Sequence, residues 1–129
     1  MAKTFELYED LKRANETVKE ALKFEHTIPY RESLTQRFEY TFELSWKLMN
    51  SILFDQGIDV NGTRTIIREA GKLSLIDSVE KWFEYLESRN RTVHMYKQDI
   101  AEEIEKVIRE GFFESVEYLI QNSKKYIYE

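Results

Sequence analysis

Residues Ser88 to Lys97 read Ser-Arg-Asn-Arg-Thr-Val-His-Met-Tyr-Lys, and here Arg, Asn, His, Tyr and Lys concentrate between two apolar helical segments. Imidazole is the side chain that titrates nearest neutrality, so His94 suits both taking and giving a proton. The guanidinium of Arg89 keeps its charge and offers a fork of donors matched to phosphate oxygens. Together they suit proton transfer beside a bound anion. On an unbroken helix Asn90 and His94, four apart, share a face, whereas Arg89 and His94 diverge by about 140°. A bend, or Arg89 reaching along the surface, is needed to gather all three. The plainer alternative is a helix-helix corner where Asn90 and His94 only satisfy loose backbone groups.

Other familiar sites find no support. The four glycines stand apart at 57, 62, 71 and 111, so no glycine-rich phosphate loop is present. Neither His26 nor His94 has a glutamate three residues before it, which argues against the di-iron pattern common in helical bundles. No metal or cofactor is expected. His26 reads as a polar end to the first helix, where such a side chain complements the helix C-terminus. The many glutamates on helix exteriors read as a solvated face.

The elements that must carry this stretch follow from composition. The chain has 129 residues, 42% of them apolar, and no cysteine. That length suits a single domain over residues 1–129. Without cysteine there is no disulfide framework, iron-sulfur cluster or thiol nucleophile, and the chain fits a reducing cytoplasmic setting. The longest uncharged run, Leu48 to Phe54, is far too short to span a membrane, and the start shows no signal peptide. With 19 basic and 24 acidic side chains the net charge is −5, which opposes a broad phosphate-neutralising surface. Phosphate chemistry, if present, must be local.

Four glycines and one proline are a third of the roughly fifteen that average usage would give, so the chain should be mostly helix. Leu7, Leu11, Ala14, Val18 and Leu22 recur at helical spacing and predict a first helix over about Thr4 to Glu25, ended before Pro29. A second, from about Arg31 to Gln56, carries two apolar stripes. Phe38, Phe42, Trp46, Met49 and Leu53 form one; Tyr40, Leu44 and Leu48 form the other. Two stripes predict covering on two sides, by the core and by another subunit or partner. Gly57 stops this helix, and Thr63 to Lys72 form a short one with Ile66, Ile67 and Ala70 inward. Asp77 followed by Glu80 resembles a capping box opening a third long helix that buries Val79, Trp82, Phe83 and Leu86. A last helix runs from near Lys97 almost to the end, with Ile100, Ile104, Val107, Ile108, Phe112, Val116 and Leu119 inward. The expected fold is all-α: an antiparallel up-and-down four-helix bundle with an extra short helix between helices 2 and 3.

The stretch from Arg89 to His94 resembles the Arg-x4-His signature of the HEPN superfamily, with Asn90 directly after the arginine and Tyr96 two positions beyond the histidine. Arg37-Phe-Glu-Tyr-Thr-Phe-Glu-Leu-Ser-Trp-Lys47 looks like the second-helix hallmark of nucleotidyltransferase substrate-binding subunits. Arg68-Glu69-Ala70 and Trp82 continue the pattern, so the resemblance covers roughly the whole chain. It implies a helical bundle that forms a homodimer and is produced beside a minimal nucleotidyltransferase. Related members are toxins, metal-independent ribonucleases, which that antitoxin partner silences by adding AMP groups to the tyrosine of the motif.

On that resemblance the catalytic candidates are Arg89, Asn90 and His94, the modification site is Tyr96, and RNA is the substrate. The chemistry is consistent: RNA is cut without metal when its own 2′-hydroxyl attacks the adjacent phosphorus, given proton transfer by His94 and charge neutralisation by Arg89. Asn90 orients either group, Arg91 and Lys97 extend the positive patch, and an AMP on Tyr96 adds negative charge and bulk where substrate phosphate must sit. The alternative function is a non-catalytic substrate-binding or scaffolding subunit of the nucleotidyltransferase.

Overall fold

Helix α1 spans Ala2–Ala21, and one stripe of it is buried: Thr4, Tyr8, Leu11, Ala14, Asn15, Val18 and Ala21 at steps of three and four. The computed structural model describes residues 2–25 and 27–128, so the reading of His26 lies outside the described residues. Helix α1 ends about four residues earlier than its periodicity predicts. Helix α2, Ile28–Asp55, starts three residues earlier than predicted. Pro29 is the reason: Thr27 before it is extended, and in the first helical turn proline has no amide to leave unpaired. Gly57, at φ 82°, ends α2 as expected.

Antiparallel pairing of α1 with α2 is visible at both ends. Thr4 meets Ser51 and donates to Asp55 at 2.6 Å, while Thr17 meets the Tyr40 hydroxyl at 2.7 Å and its carbonyl accepts from Arg37 at 2.8 Å. Helix α2 also packs against every later helix. Much of its two stripes is thereby covered within one chain. Leu48 is fully buried and Leu44 is packed against the core, while Tyr40 is tied to α1. Tyr40 nevertheless remains 41% exposed.

Helix α3, Thr63–Lys72, buries Ile66, Ile67 and Ala70 as expected. Helix α4, Val79–Arg91, is capped by Ser78, whose hydroxyl accepts from the Lys81 amide at 3.2 Å. Asp77, the predicted cap, has other partners. Its carboxylate accepts from the Ser78 amide, from Trp82 Nε1 at 3.2 Å and from Ser115 Oγ at 2.8 Å. Tyr85, absent from the predicted core, is buried and meets Ser115 Oγ at 2.7 Å. Burial pushes its hydroxyl pKa up to about 12. Val79, Phe83 and Leu86 are only partly covered.

After α4 comes one 3₁₀ turn, Thr92–His94, then α5 over Gln98–Val107, a π-helical turn over Ile108–Phe112, and α6 over Phe113–Ile127. The predicted single last helix is thus broken. Glu110 and Gly111 leave helical geometry, and Gly111 sits at φ 116°, a conformation that favours glycine. Of the predicted inward residues Ile104, Ile108, Phe112, Val116 and Leu119 are buried across the break, while Ile100 and Val107 are only partly covered. Phe112 lies against Phe38 at 4.7 Å and Tyr85 at 5.0 Å between centroids, and Trp82 stacks on Phe42 at 6.1 Å. The result is the expected all-α bundle, with α1, α2, α4 and the α5–α6 rod as its long members and α3 as the short insertion.

One ion network lies inside the bundle. Glu105 accepts from Arg31 Nε and Arg109 Nε, both at 2.8 Å, and Arg109 Nη1 donates to the Leu22 carbonyl at 3.0 Å. Burial by itself would raise the Glu105 carboxyl; the two guanidinium hydrogen bonds overcome this and hold it below its ordinary range. The stabilisation is therefore complete above the ordinary glutamate range and is lost as pH falls through the depressed value. Glu105→Ala should cost about 3–5 kcal/mol in urea unfolding at neutral pH, because two guanidinium groups lose their shared partner. In an acid titration of stability the variant should lose less than the native chain. Gly111→Ala should cost about 1–3 kcal/mol from backbone strain alone, since nothing lies within 4 Å of an added Cβ.

Candidate functional site

Arg89 occupies the last turn of α4, one residue beyond the buried Ser88, and the packing of Trp82 and Tyr85 fixes which way that turn faces. Its side chain reaches towards α2. Nη1 lies 3.1 Å from Glu39 Oε2, and Nε lies 3.3 Å from Glu43 Oε1. Nη1 also donates to Thr92 Oγ1 at 3.3 Å. Thr92 Oγ1 in turn lies 2.8 Å from the Arg89 carbonyl and 3.2 Å from Glu39 Oε2, both in reach of its one hydrogen. Glu43 is itself held, because the indole N–H of Trp46 donates to its Oε2 at 2.9 Å.

The bend required by the spacing occurs directly after Arg91. Thr92 bonds back to the carbonyl three residues earlier, a habit of Ser and Thr at helix ends, and the chain tightens into the 3₁₀ turn. Met95 N then donates to the Thr92 carbonyl and Lys97 N to that of His94. This corner leaves Asn90 and His94 exposed, and Tyr96 is 78% exposed. The His94 and Tyr96 rings meet edge to face at 6.2 Å, and Lys97 Nζ lies 6.0 Å from the Tyr96 centroid.

The four residues thus share one corner but do not converge on one point. Among the described residues no hydrogen bond or ion pair joins Arg89 to Asn90, His94 or Tyr96. Arg89 turns inward to carboxylates, while the imidazole and phenol face outward. Arg91 does not extend a positive patch, being paired with Glu103 on α5 at 2.7 Å. Glu39, Glu43 and Thr92 are the residues that the spacing argument missed. A signal for two of them was present: like charges four apart on one helix face repel, which points to a cation opposite.

An open cleft of about 680 Å³ adjoins the corner, running from Ile28, Arg31, Thr35 and Glu39 on α2 to Met95, Tyr96 and Ala101. Glu39 therefore stands between Arg89 on one side and this cleft on the other. Among the described residues no group of three potential metal ligands converges, and no helix is long and apolar enough to cross a membrane.

A family model described as nucleotidyltransferase substrate binding protein like matches residues 6–125. The chain belongs to this family. The long α2 with its Phe-Glu-Tyr-Thr-Phe-Glu-Leu-Ser-Trp-Lys block and the Arg89 to Tyr96 corner both fall inside the matched span. The chain is 38% identical over 71 residues to a protein of Haemophilus influenzae (strain ATCC 51907 / DSM 11121 / KW20 / Rd) named probable ribonuclease HepT; the match covers 51% of this chain and 49% of the relative. The chain thus spans about half the length of that curated relative. Two solved structures share the family's bundle. One, from Haemophilus influenzae, is described as revealing the fold of a substrate binding domain of a nucleotidyltransferase; it is 25% identical with a TM-score of 0.78, covering 91% of this chain and 98% of that one. The other, from Thermus thermophilus, is 25% identical with a TM-score of 0.76, covering 90% and 98% respectively.

Proposed function

We propose that this protein is the HEPN-type partner of a minimal nucleotidyltransferase in a toxin-antitoxin-like pair, and that it is a metal-independent endoribonuclease silenced by adenylylation of Tyr96. The observation that carries this reading is the corner itself. A short turn holds an exposed imidazole and an exposed phenol side by side, immediately after an arginine on a rigid helix end. The relative named as a probable ribonuclease supports it.

In the proposed reaction an RNA 2′-oxygen bonds to the adjacent phosphorus and releases its proton to an imidazole, while the bond from phosphorus to the 5′-oxygen breaks and that oxygen takes a proton from an imidazolium. One His94 cannot be base and acid at once, so the reading includes a homodimer that brings a second His94 to the cleft. Val93 and Ile28, exposed by 69% and 63% around the corner and its cleft, offer apolar surface for such self-association. Arg89 neutralises charge building on the phosphate oxygens, and Asn90 orients the imidazole or the RNA. The cytoplasm is its proposed place of action; among the described residues no helix is long and apolar enough to cross a membrane.

The second reading is a non-catalytic substrate-binding or scaffolding subunit of the nucleotidyltransferase. The pairing of Arg89 with two carboxylates favours it, since a paired guanidinium is not free to take phosphate. Incubation of the purified protein with RNA in excess chelator separates the two. The nuclease reading expects cleavage to 5′-hydroxyl ends and a loss of at least about a hundredfold in His94→Ala; intact RNA, or equal cutting by the variant, sinks it. With the nucleotidyltransferase and ATP, mass spectrometry should find adenylyl groups on Tyr96, and labelling confined to other residues refutes the switch.

A further inference from the structure

Among the described residues two arginine-carboxylate networks differ in their ratio of guanidinium to carboxylate groups. In the interior, two guanidinium groups share Glu105 through aligned 2.8 Å hydrogen bonds, with the Glu105 side chain only 7% exposed. At the corner one guanidinium faces two carboxylates at 3.1 and 3.3 Å, its side chain 30% exposed. Each network keeps one buried donor without an aligned acceptor, Arg109 Nη2 in the interior and Arg89 Nε at the corner, but only the corner one lies in a guanidinium that both is partly open to solvent and faces an excess of carboxylate. The charge of the corner also has the wrong sign for a free phosphate site, since one cation against two anions leaves −1.

Resting on the phosphodiester reading above, we infer that Glu39 and Glu43 form an exchangeable carboxylate clamp that occupies Arg89 until a phosphate displaces it. Both residues are pre-set for this role. Trp46 holds the far oxygen of Glu43, and Thr92 Oγ1, which bonds back to the Arg89 carbonyl, lies 3.2 Å from Glu39 Oε2. Arg89 Nη1 also donates to Thr92 Oγ1, so the clamped guanidinium touches the first residue of the 3₁₀ turn that carries His94. The clamp makes phosphate binding an exchange of one anion for another and suppresses Arg89 as an indiscriminate anion site. Glu39 and Glu43 are positioning residues acting through Arg89.

The test needs no RNA. Pyrophosphate is titrated into ¹⁵N-labelled protein while the Arg89 Nε–H resonance is followed, its assignment checked by its loss in Arg89→Lys. Glu39→Gln and Glu43→Gln keep the shape and an acceptor oxygen but remove one negative charge each. At least one of these variants should bind pyrophosphate about tenfold or more tightly than the native chain, with a steeper salt dependence. Equal or weaker binding in both, with thermal melting intact, shows that the carboxylates only anchor Arg89 and overturns the clamp. In chelator-resistant RNA cleavage the same variants should lower KM with kcat little changed. The two readings fail separately: variants that gain pyrophosphate affinity in a protein that cuts no RNA leave the clamp standing and remove the nuclease. Native cleavage without any gain in the variants does the reverse.

Discussion

The seat of Trp82 on α2 governs the rest of the molecule. Its ring stacks on Phe42 and meets Tyr85 at 5.2 Å edge to face, while its indole N–H is fixed by Asp77. These contacts set both the height and the rotation of α4 against α2. Arg89 follows Trp82 by seven residues, two turns along the same face, so it projects at α2 as well. A helix turned by a third of a revolution would put that guanidinium in water. The chemistry of the corner is thus decided by apolar packing two turns below it.

Polar groups at the two ends of the core play unlike parts. The chain Tyr85, Ser115, Asp77 and Trp82 links α4 to α6 through hydrogen bonds of 2.7 to 3.2 Å in which Tyr85, Ser115 and Trp82 are buried and Asp77 stands at the rim. Glu105 joins α5 to α2 and, through Arg109, to the end of α1. Both networks leave their central acceptors well satisfied and serve to register helices. The corner around Arg89 is organised on another principle, with more acceptors than aligned donors and access to solvent.

What could be read in advance was whatever repeats locally. The stripe of α1, the stop at Gly57, the inward Ile66, Ile67 and Ala70, and the apolar faces of α2 and α6 all follow from helical spacing, because burying one face outweighs the other local preferences and leaves a periodic trace. The π turn at Gly111 left none: Ile104, Ile108, Phe112 and Val116 keep steps of four straight through it. Asp77 and Ser78 are both natural caps, and the choice went to Ser78 because Trp82 and Ser115, one of them 38 residues distant, claim Asp77. The site was half legible. Arg89, Asn90, His94 and Tyr96 could be singled out by type and spacing, yet the direction of Arg89 depends on glutamates some fifty residues earlier, which no local rule connects to it.

The break at Gly111 has a consequence for how the last rod serves two sets of neighbours. Helix α5 packs on α4 and α2, whereas α6 packs on α1 and α2. A continuous helix would lock both halves to one angular phase of about 100° per residue. The irregular turn works instead as a phase adjuster, letting each half present its own apolar side. Removing or adding a single residue there would rotate Val116 and Leu119 out of the core while leaving the corner-bearing half correctly set, so this turn is where the two halves of the bundle can be re-indexed independently.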